Sequence, residues 1–326
     1  MILPYSLRLL CLCFASFFIL NVAVGLFVGA FSKSATSLAD KKSPKIAARL
    51  LFALRLLPLV LATFFVLGLC VPSFLWLEDN PASEYVGLLC IAFALLGAAS
   101  WAISLFRTAH SLFASLRHIR LCRLAGNETR MPGESSSLIV VENDAPLLAL
   151  SGLLRPRLLI SSSVLHALST EELDAALSHE QAHRRSRDNA KRFLLLLAPD
   201  IFPFVRPLRS LEQNWSKFAE WAADDHAAAG NSRRALSLAA ALVCVARLGN
   251  SPRLPYLSTS LLAGDRDLSA RVDRLLSAIP TTRAHAKPSS VKLRTAGLLF
   301  AGAIAALLLA PAALSSVHEL LELLVR

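Results

Sequence analysis

The chain is poor in charge. Only 17% of its 326 residues are Asp, Glu, Lys or Arg, against 55% hydrophobic, and the mean hydropathy is +0.53. A soluble domain carries about a quarter charged residues, so the deficit points to a membrane and excludes a disordered chain. Aromatics are only 7%, and no run of five basic residues occurs. The net charge of +11 therefore lacks the pattern of a nucleic-acid surface, and no direct nucleic-acid partner is expected. Cysteine is sparse and has no CxxC pair: Cys11, Cys13, Cys70 and Cys90 lie in apolar runs, and Cys122 and Cys244 stand alone. That excludes a disulfide scaffold and a thiolate zinc site, and fits a reduced core facing the cytosol. No internal repeat is present.

Long apolar runs are what the chain does have. Four are long enough to cross a bilayer, which takes about 20 residues: about 9–31, 50–77, 86–106 and 296–314. The first is too long for the apolar part of a typical cleaved signal and lacks a clear small-x-small cleavage site, so it reads as an anchor. Basic residues mark the inner side of a membrane. They crowd into 32–49 (Lys33, Lys41, Lys42, Lys45, Arg49), into the segment after 106 (Arg107, Arg117, Arg120, Arg123), and into 283–294. The loop 78–85 instead holds Glu78, Asp79 and Glu84. The expectation is a multi-pass protein of a cell membrane with its N-terminus outside. Residues 1–106 would carry three spans, 107–294 a cytoplasmic domain, 295–314 the fourth span and 315–326 a short external tail.

A fifth apolar run, Phe193–Leu208, carries Asp200 and the prolines 199, 203 and 207. Three prolines would free carbonyls that a spanning helix must satisfy elsewhere. The run is read as buried or lying along the spans.

Within 107–294 the short apolar runs of 137–161, separated by turn residues, predict two or three strands. Ser169 with Glu172 forms the sequence of a capping box, which starts a helix from Thr170 to about Arg187. Further helices are expected over about 211–229, ended by Gly230-Asn231, and over about 233–248 and 268–278. The fold class is then a mainly α membrane protein, four transmembrane helices with an inserted α+β domain.

The first of these helices holds His179-Glu180-Gln181-Ala182-His183. Residues four apart share a helix face, so the two imidazoles can bind one Zn²⁺, with Glu180 beside a zinc-bound water as the general base for attack on a carbonyl. Chance supplies such a match in roughly one chain in a hundred of this length. A catalytic zinc takes a third protein ligand. Glu220 and Asp224, four apart on the next helix, offer it: Glu220 to the metal, Asp224 as acceptor for the free nitrogen of a ligand histidine. Asp225 and Glu212 are the competing carboxylates. His183 and Glu220 can meet only if 193–208 does not cross the membrane. Arg271 and His226 are candidates to stabilise an oxyanion, and residues 157–161 are either a sheet edge open to an extended substrate chain or an ordinary interior strand.

These residues resemble the M56 family of membrane-embedded metallopeptidases, the BlaR1/MecR1 type. SGLLRPRLLIS (151–161) is similar to the family's strand before the active helix, LSTEELDAALSHEQAHRRSRDN (168–189) to its zinc helix, and EWAADDHAA (220–228) to its ExxxD segment. The resemblance implies a gluzincin site: His179, His183 and Glu220 on zinc, Glu180 as base, Asp224 behind them. It also implies regulated proteolysis of a protein substrate such as a cytoplasmic repressor. Antibiotic-sensing members carry a penicillin-binding domain after the last span. Only SSVHELLELLVR follows it here, so a signal would have to enter through a sensor partner or the outer loop. A weaker resemblance runs to M48 membrane proteases, which act in quality control. A catalytically silent membrane scaffold is the reading from another class.

Overall fold

The computed structural model describes residues 2–78, 84–130, 137–142, 145–200, 206–249, 254–261, 268–277 and 311–325. It is mostly helical, with a small mixed sheet.

Three long apolar helices form the first part. Helix α1 is Tyr5–Asp40. Helix α2, Pro44–Phe65, passes through a π-helical turn at Val66–Cys70 into α3, Val71–Leu77, and α4 is Leu88–Ala125. Each of the three rods is long and apolar enough to cross a membrane. The 38 residues of α4 extend about 57 Å, nearly twice the apolar thickness of a bilayer. All three helices outrun the expected spans on the same, basic side: α1 runs on to Asp40, α2 begins at Pro44 and α4 continues to Ala125. At Gly97 the backbones of α1 and α4 nearly touch, since an added Cβ would lie 2.4 Å from the Phe14 carbonyl oxygen. At the opposite end the strands β1 (Ile2–Leu3) and β2 (Glu84–Tyr85) pair, and Arg8 meets Glu78 at 2.8 Å.

The second part follows α4 directly. Strand β3 (Gly126–Arg130) continues from the helix and pairs with β4 (Ser137–Val141). Strands β5 (Leu148–Ser151), β6 (Arg157–Ser161) and β7 (Ser258–Ser260) complete a sheet of order β3-β4-β6-β5-β7 among the described residues. The pair β4–β6 is parallel and the others antiparallel. Residues 157–161 are therefore not an edge: β4 bonds one side of β6 and β5 the other. Neither β3 nor β7 was expected, because GNETR and STS carry no apolar alternation for a sequence reading to find.

Helices α5 (Ser162–Ala167), α6 (Thr170–Ser186), α7 (Asp188–Leu197), α8 (Arg206–Ala228), α9 (Ser232–Arg247) and α10 (Leu268–Ser277) follow, with α5, α6 and α7 against the sheet and α8 and α10 against other helices. The capping box at Ser169 and Glu172 is formed as expected. Arg187 adopts φ 54°, which ends α6 and starts α7 at once. Leu148, Ile160, Val164, Ala176, Leu238 and Leu242 form the core between sheet and helices.

The apolar run at Phe193 divides at α7, whose ten residues span about 15 Å, too short to cross a bilayer. Its end is tied to the long helices: Ser104 Oγ donates to the Leu196 and Leu197 carbonyls, Asn21 Nδ2 to Pro199 O at 3.1 Å, and Arg55 pairs with Asp200 at 2.5 Å. Helix α8 then packs on α2 through Leu211, Trp215 and Phe218 against Leu51 and Phe52. Both helices that matter below are thus fixed, one to the sheet and one to the membrane rods.

The expected fourth span lies mostly outside the described residues. From Pro311 the chain is helical to Val325 (α11). Helix α11 seats Leu321 beside Leu12, Phe74 and Cys90, and its Leu314 carbonyl accepts from Ser73 Oγ at 3.0 Å.

Candidate metal centre

Helix α6 presents His179 and His183 on one face, and α8 presents Glu220 opposite them. The two Nε2 atoms are 3.2 Å apart. Glu220 Oε2 lies 3.4 Å from His179 Nε2 and 3.5 Å from His183 Nε2. These three edges match the roughly 3.3–3.4 Å that separates donors held about 2.0–2.1 Å from one tetrahedral ion. All three residues are buried, and neither Glu220 oxygen makes a hydrogen bond. A buried carboxylate without a hydrogen bond costs several kcal/mol unless a charge compensates it. The donor set, its spacing and its unsatisfied oxygens all fit a divalent cation, and the histidine nitrogens favour zinc over magnesium or calcium.

The histidines are held from behind. His183 Nδ1 is 2.7 Å from Asp188 Oδ2, and Lys191 Nζ donates to the other oxygen of that carboxylate at 2.7 Å. His179 Nδ1 is 3.0 Å from Asp224 Oδ1. Asp188 fixes the His183 ring so that Nε2 faces Glu220, an arrangement usual around metal-binding imidazoles, and Asp224 lies against His179 as an ion-pair partner. Asp224 is in turn held by Arg271 of α10, which donates Nε–H to Oδ2 at 2.9 Å and Nη2–H to Oδ1 at 2.7 Å. Arg271 also donates to the Leu261 carbonyl at 2.7 Å and approaches Glu220 Oε2 at 3.4 Å.

Charge balance sets the protonation tendencies. Burial alone would lower the His183 pKa, but Glu220 and then Asp188 outweigh it and push it up to about 10. Burial likewise opposes charge on His179, and Asp224 and Glu220 still raise it. Against burial, His183 and His179 hold Glu220 well below the usual carboxylate range, and Arg271 with His179 lowers Asp224. Glu180 behaves differently. It is fully buried, neither oxygen makes a hydrogen bond, and burial raises its pKa despite the nearby histidines. A carboxylate with a raised pKa beside a cation site suits proton transfer near neutrality.

Of the remaining sequence candidates, Arg271 reaches the cluster and His226 does not: it is exposed, 2.6 Å from Arg185 Nη1. Asp225 pairs outward with Arg274, and Glu212 is bonded by Tyr256, so neither competes with Glu220. Asp188 was missed by the sequence reading. The available signal was its place five residues after His183, just past the helix end that brings it back against the ring. The grip of Arg271 on Asp224 had no local signal, since 47 residues separate the two.

No curated protein was found to match the chain. The sequence model of the M56 family, described as BlaR1 peptidase M56, matches residues 77–275. That stretch begins at the end of α3 and closes on α10, so it contains every residue of the cluster and the helix that carries Arg271. On that match, which spans well over half of its length, the chain belongs to the M56 peptidase family.

Proposed function

We propose that this protein is an integral-membrane, zinc-dependent endopeptidase that cleaves a cytoplasmic protein, in the manner of a signal-regulated protease acting on a transcriptional repressor. The observation that carries the reading is the buried His179–His183–Glu220 triangle, with Glu180 adjacent and unpaired. Family membership supports peptidase activity, and the three long apolar helices support a membrane location.

In this reading His179, His183 and Glu220 hold the ion. A bound Zn²⁺ supplies Lewis acidity toward the peptide carbonyl and brings the pKa of a water toward about 7. Glu180 accepts a proton from the attacking water at a carboxylate oxygen and returns it to the leaving amine nitrogen. Its burial without a hydrogen-bond partner leaves both oxygens free for that exchange. Asp188 keeps the His183 imidazole in the tautomer whose Nε2 is free for metal, and Asp224 lies against His179. Arg271 holds Asp224 and offsets the negative charge of two buried carboxylates.

The basic residues of 32–49 and of the end of α4, on the side from which the sheet and α6–α10 continue, support a cytoplasmic protease part by the charge bias of loops. A silent scaffold reading gives no role to Glu180, a fully buried carboxylate beside the cluster whose oxygens make no hydrogen bond. The test is a comparison of new protein N-termini in cells expressing the wild type or Glu180→Gln. A short list of cytoplasmic cleavages that vanishes in the variant supports the reading. Identical N-termini in both would overturn it, and a broad set of unrelated cleavages would point to quality control instead.

A further inference from the structure

Four of the six cysteines converge at one end of the long helices. Cys11 and Cys13 lie on α1, Cys70 closes the π-helical turn after α2, and Cys90 stands in the first turn of α4. All four belong to or pack against one apolar cluster with Leu12, Phe74 and Leu321. Cys11 lies about one helical turn from Arg8, whose pair with Glu78 marks the end of the bundle. None of the four is in a disulfide.

The helix repeat sorts the sulfurs into pairs. Positions two apart on a helix point about 200° apart, so Cys11 and Cys13 face different neighbours. Cys11 Sγ is 3.8 Å from Cys90 Sγ, across α1 and α4. Cys13 is hydrogen-bonded to Cys70, across α1 and the end of the α2 rod. A disulfide holds its sulfurs about 2.05 Å apart, so closing the first pair moves each sulfur by about 0.9 Å. The helices stand close enough for this: at Gly97, two turns further along α4, the backbones of α1 and α4 nearly touch. A shared metal ion fits the sulfurs less well, since among the described residues no three of them lie within ligand distance of one another.

Exposure differs within each pair. Cys11 and Cys13 are partly exposed, while Cys90 and Cys70 are buried. That asymmetry suits thiol–disulfide exchange, in which an accessible thiol forms a mixed disulfide and a neighbouring thiol resolves it. The charge bias of the loops assigns this end of the bundle to the outside, where thiols meet oxidants. We propose that Cys11 with Cys90, and Cys13 with Cys70, are two dithiol sites that a disulfide oxidant closes into bonds between helices. In each, the partly exposed cysteine attacks the oxidant as its thiolate and releases one reduced thiol. The buried cysteine then attacks the mixed disulfide, forms the bond within the protein and releases the second. Two protein thiols lose two electrons and two protons, and the oxidant takes them up as its S–S bond becomes two thiols. Closed, the bonds tie α1 to both of the other rods. The proposal does not depend on the peptidase reading.

The test uses the full chain, reduced and purified in mild detergent, with dipyridyl disulfide as a small uncharged oxidant. Released thiopyridone is counted by absorbance, and the chain is then digested without reductant and mapped by mass spectrometry. Cys11–Cys90 and Cys13–Cys70 should appear as cross-linked peptides, each bond formed with release of two thiopyridones, while Cys122 and Cys244 should form no bond within the chain. Both bonds should survive in equimolar reduced and oxidised glutathione. Cys11→Ser should abolish the first bond and leave the second. Absence of either bond in the wild type would overturn the proposal, as would Cys11–Cys70 or Cys13–Cys90 at equal yield, or a pyridyl adduct that stays on Cys11 beside a free Cys90. Reduction of both bonds in the glutathione mixture would also overturn it, by leaving the sulfurs as mere neighbours. If Cys11→Ser does not fold, Cys90→Ser makes the same comparison.

Discussion

His183 and Asp188 face each other across the end of a helix, with Nδ1 and Oδ2 2.7 Å apart and both side chains buried. The left-handed turn at Arg187 makes this possible by folding the start of α7 back onto the last turn of α6. The carboxylate decides which ring nitrogen is available, and so aims Nε2 at Glu220.

Asp188→Asn keeps the size and removes the charge that makes the ring more basic. Zinc affinity is expected to fall by about 10- to 100-fold, the usual effect of losing such a partner. Competition with a chelator of known affinity measures it. Asp225→Asn, at the outward carboxylate paired with Arg274, is the control, and an equal loss there would contradict the assignment.

The raised pKa of His183 has a consequence for the metal-free chain. A histidine near 6.5 unfolded and about 10 folded favours folding fully below pH 6.5 and loses that contribution as pH rises through 10. Chelator-treated protein should therefore melt at progressively lower temperature between about pH 7 and 10, and His183→Gln should flatten that slope. Metal uptake at pH 7 should release a proton from the site, visible as a dependence of binding heat on buffer ionisation enthalpy. Uptake with no proton release would mean that His183 is neutral beforehand.

Arg271→Met keeps much of the bulk but leaves Asp224 and Glu220 without their cation. Removing one partner of a buried ion pair costs about 3–5 kcal/mol, and Arg271 and Asp224 are almost completely buried. The metal-free protein should lose stability on that scale, and added zinc should recover part of it. Chemical unfolding in detergent checks both. A loss below about 1 kcal/mol would show that the pair is less desolvated than its burial indicates.

Much of this architecture was legible because it is written locally. The HExxH spacing, the Ser169–Glu172 cap and the four-residue step from Glu220 to Asp224 each depend on the helix repeat alone. The prolines and Asp200 kept Phe193–Leu208 from being read as a span, which is what allowed α6 and α8 to be set against one another. What escaped depends on contacts between distant segments. Strand β6 is central because β4 pairs with it over about twenty residues of separation, and nothing in RLLIS distinguishes an edge from an interior strand. Strand β7 is three polar residues that become a strand only by bonding β5. Arg271 reads as one more arginine on an amphipathic helix until α10 is placed beside α8.

The central claim is that His179, His183 and Glu220 hold one zinc ion together. Its most direct test is the zinc content per chain of the detergent-purified protein, measured beside His183→Ala and Glu220→Ala. The account predicts about one zinc per chain in the wild type and loss of it in both variants. A wild type without zinc after gentle purification, or a Glu220→Ala variant that retains the full complement, would contradict it.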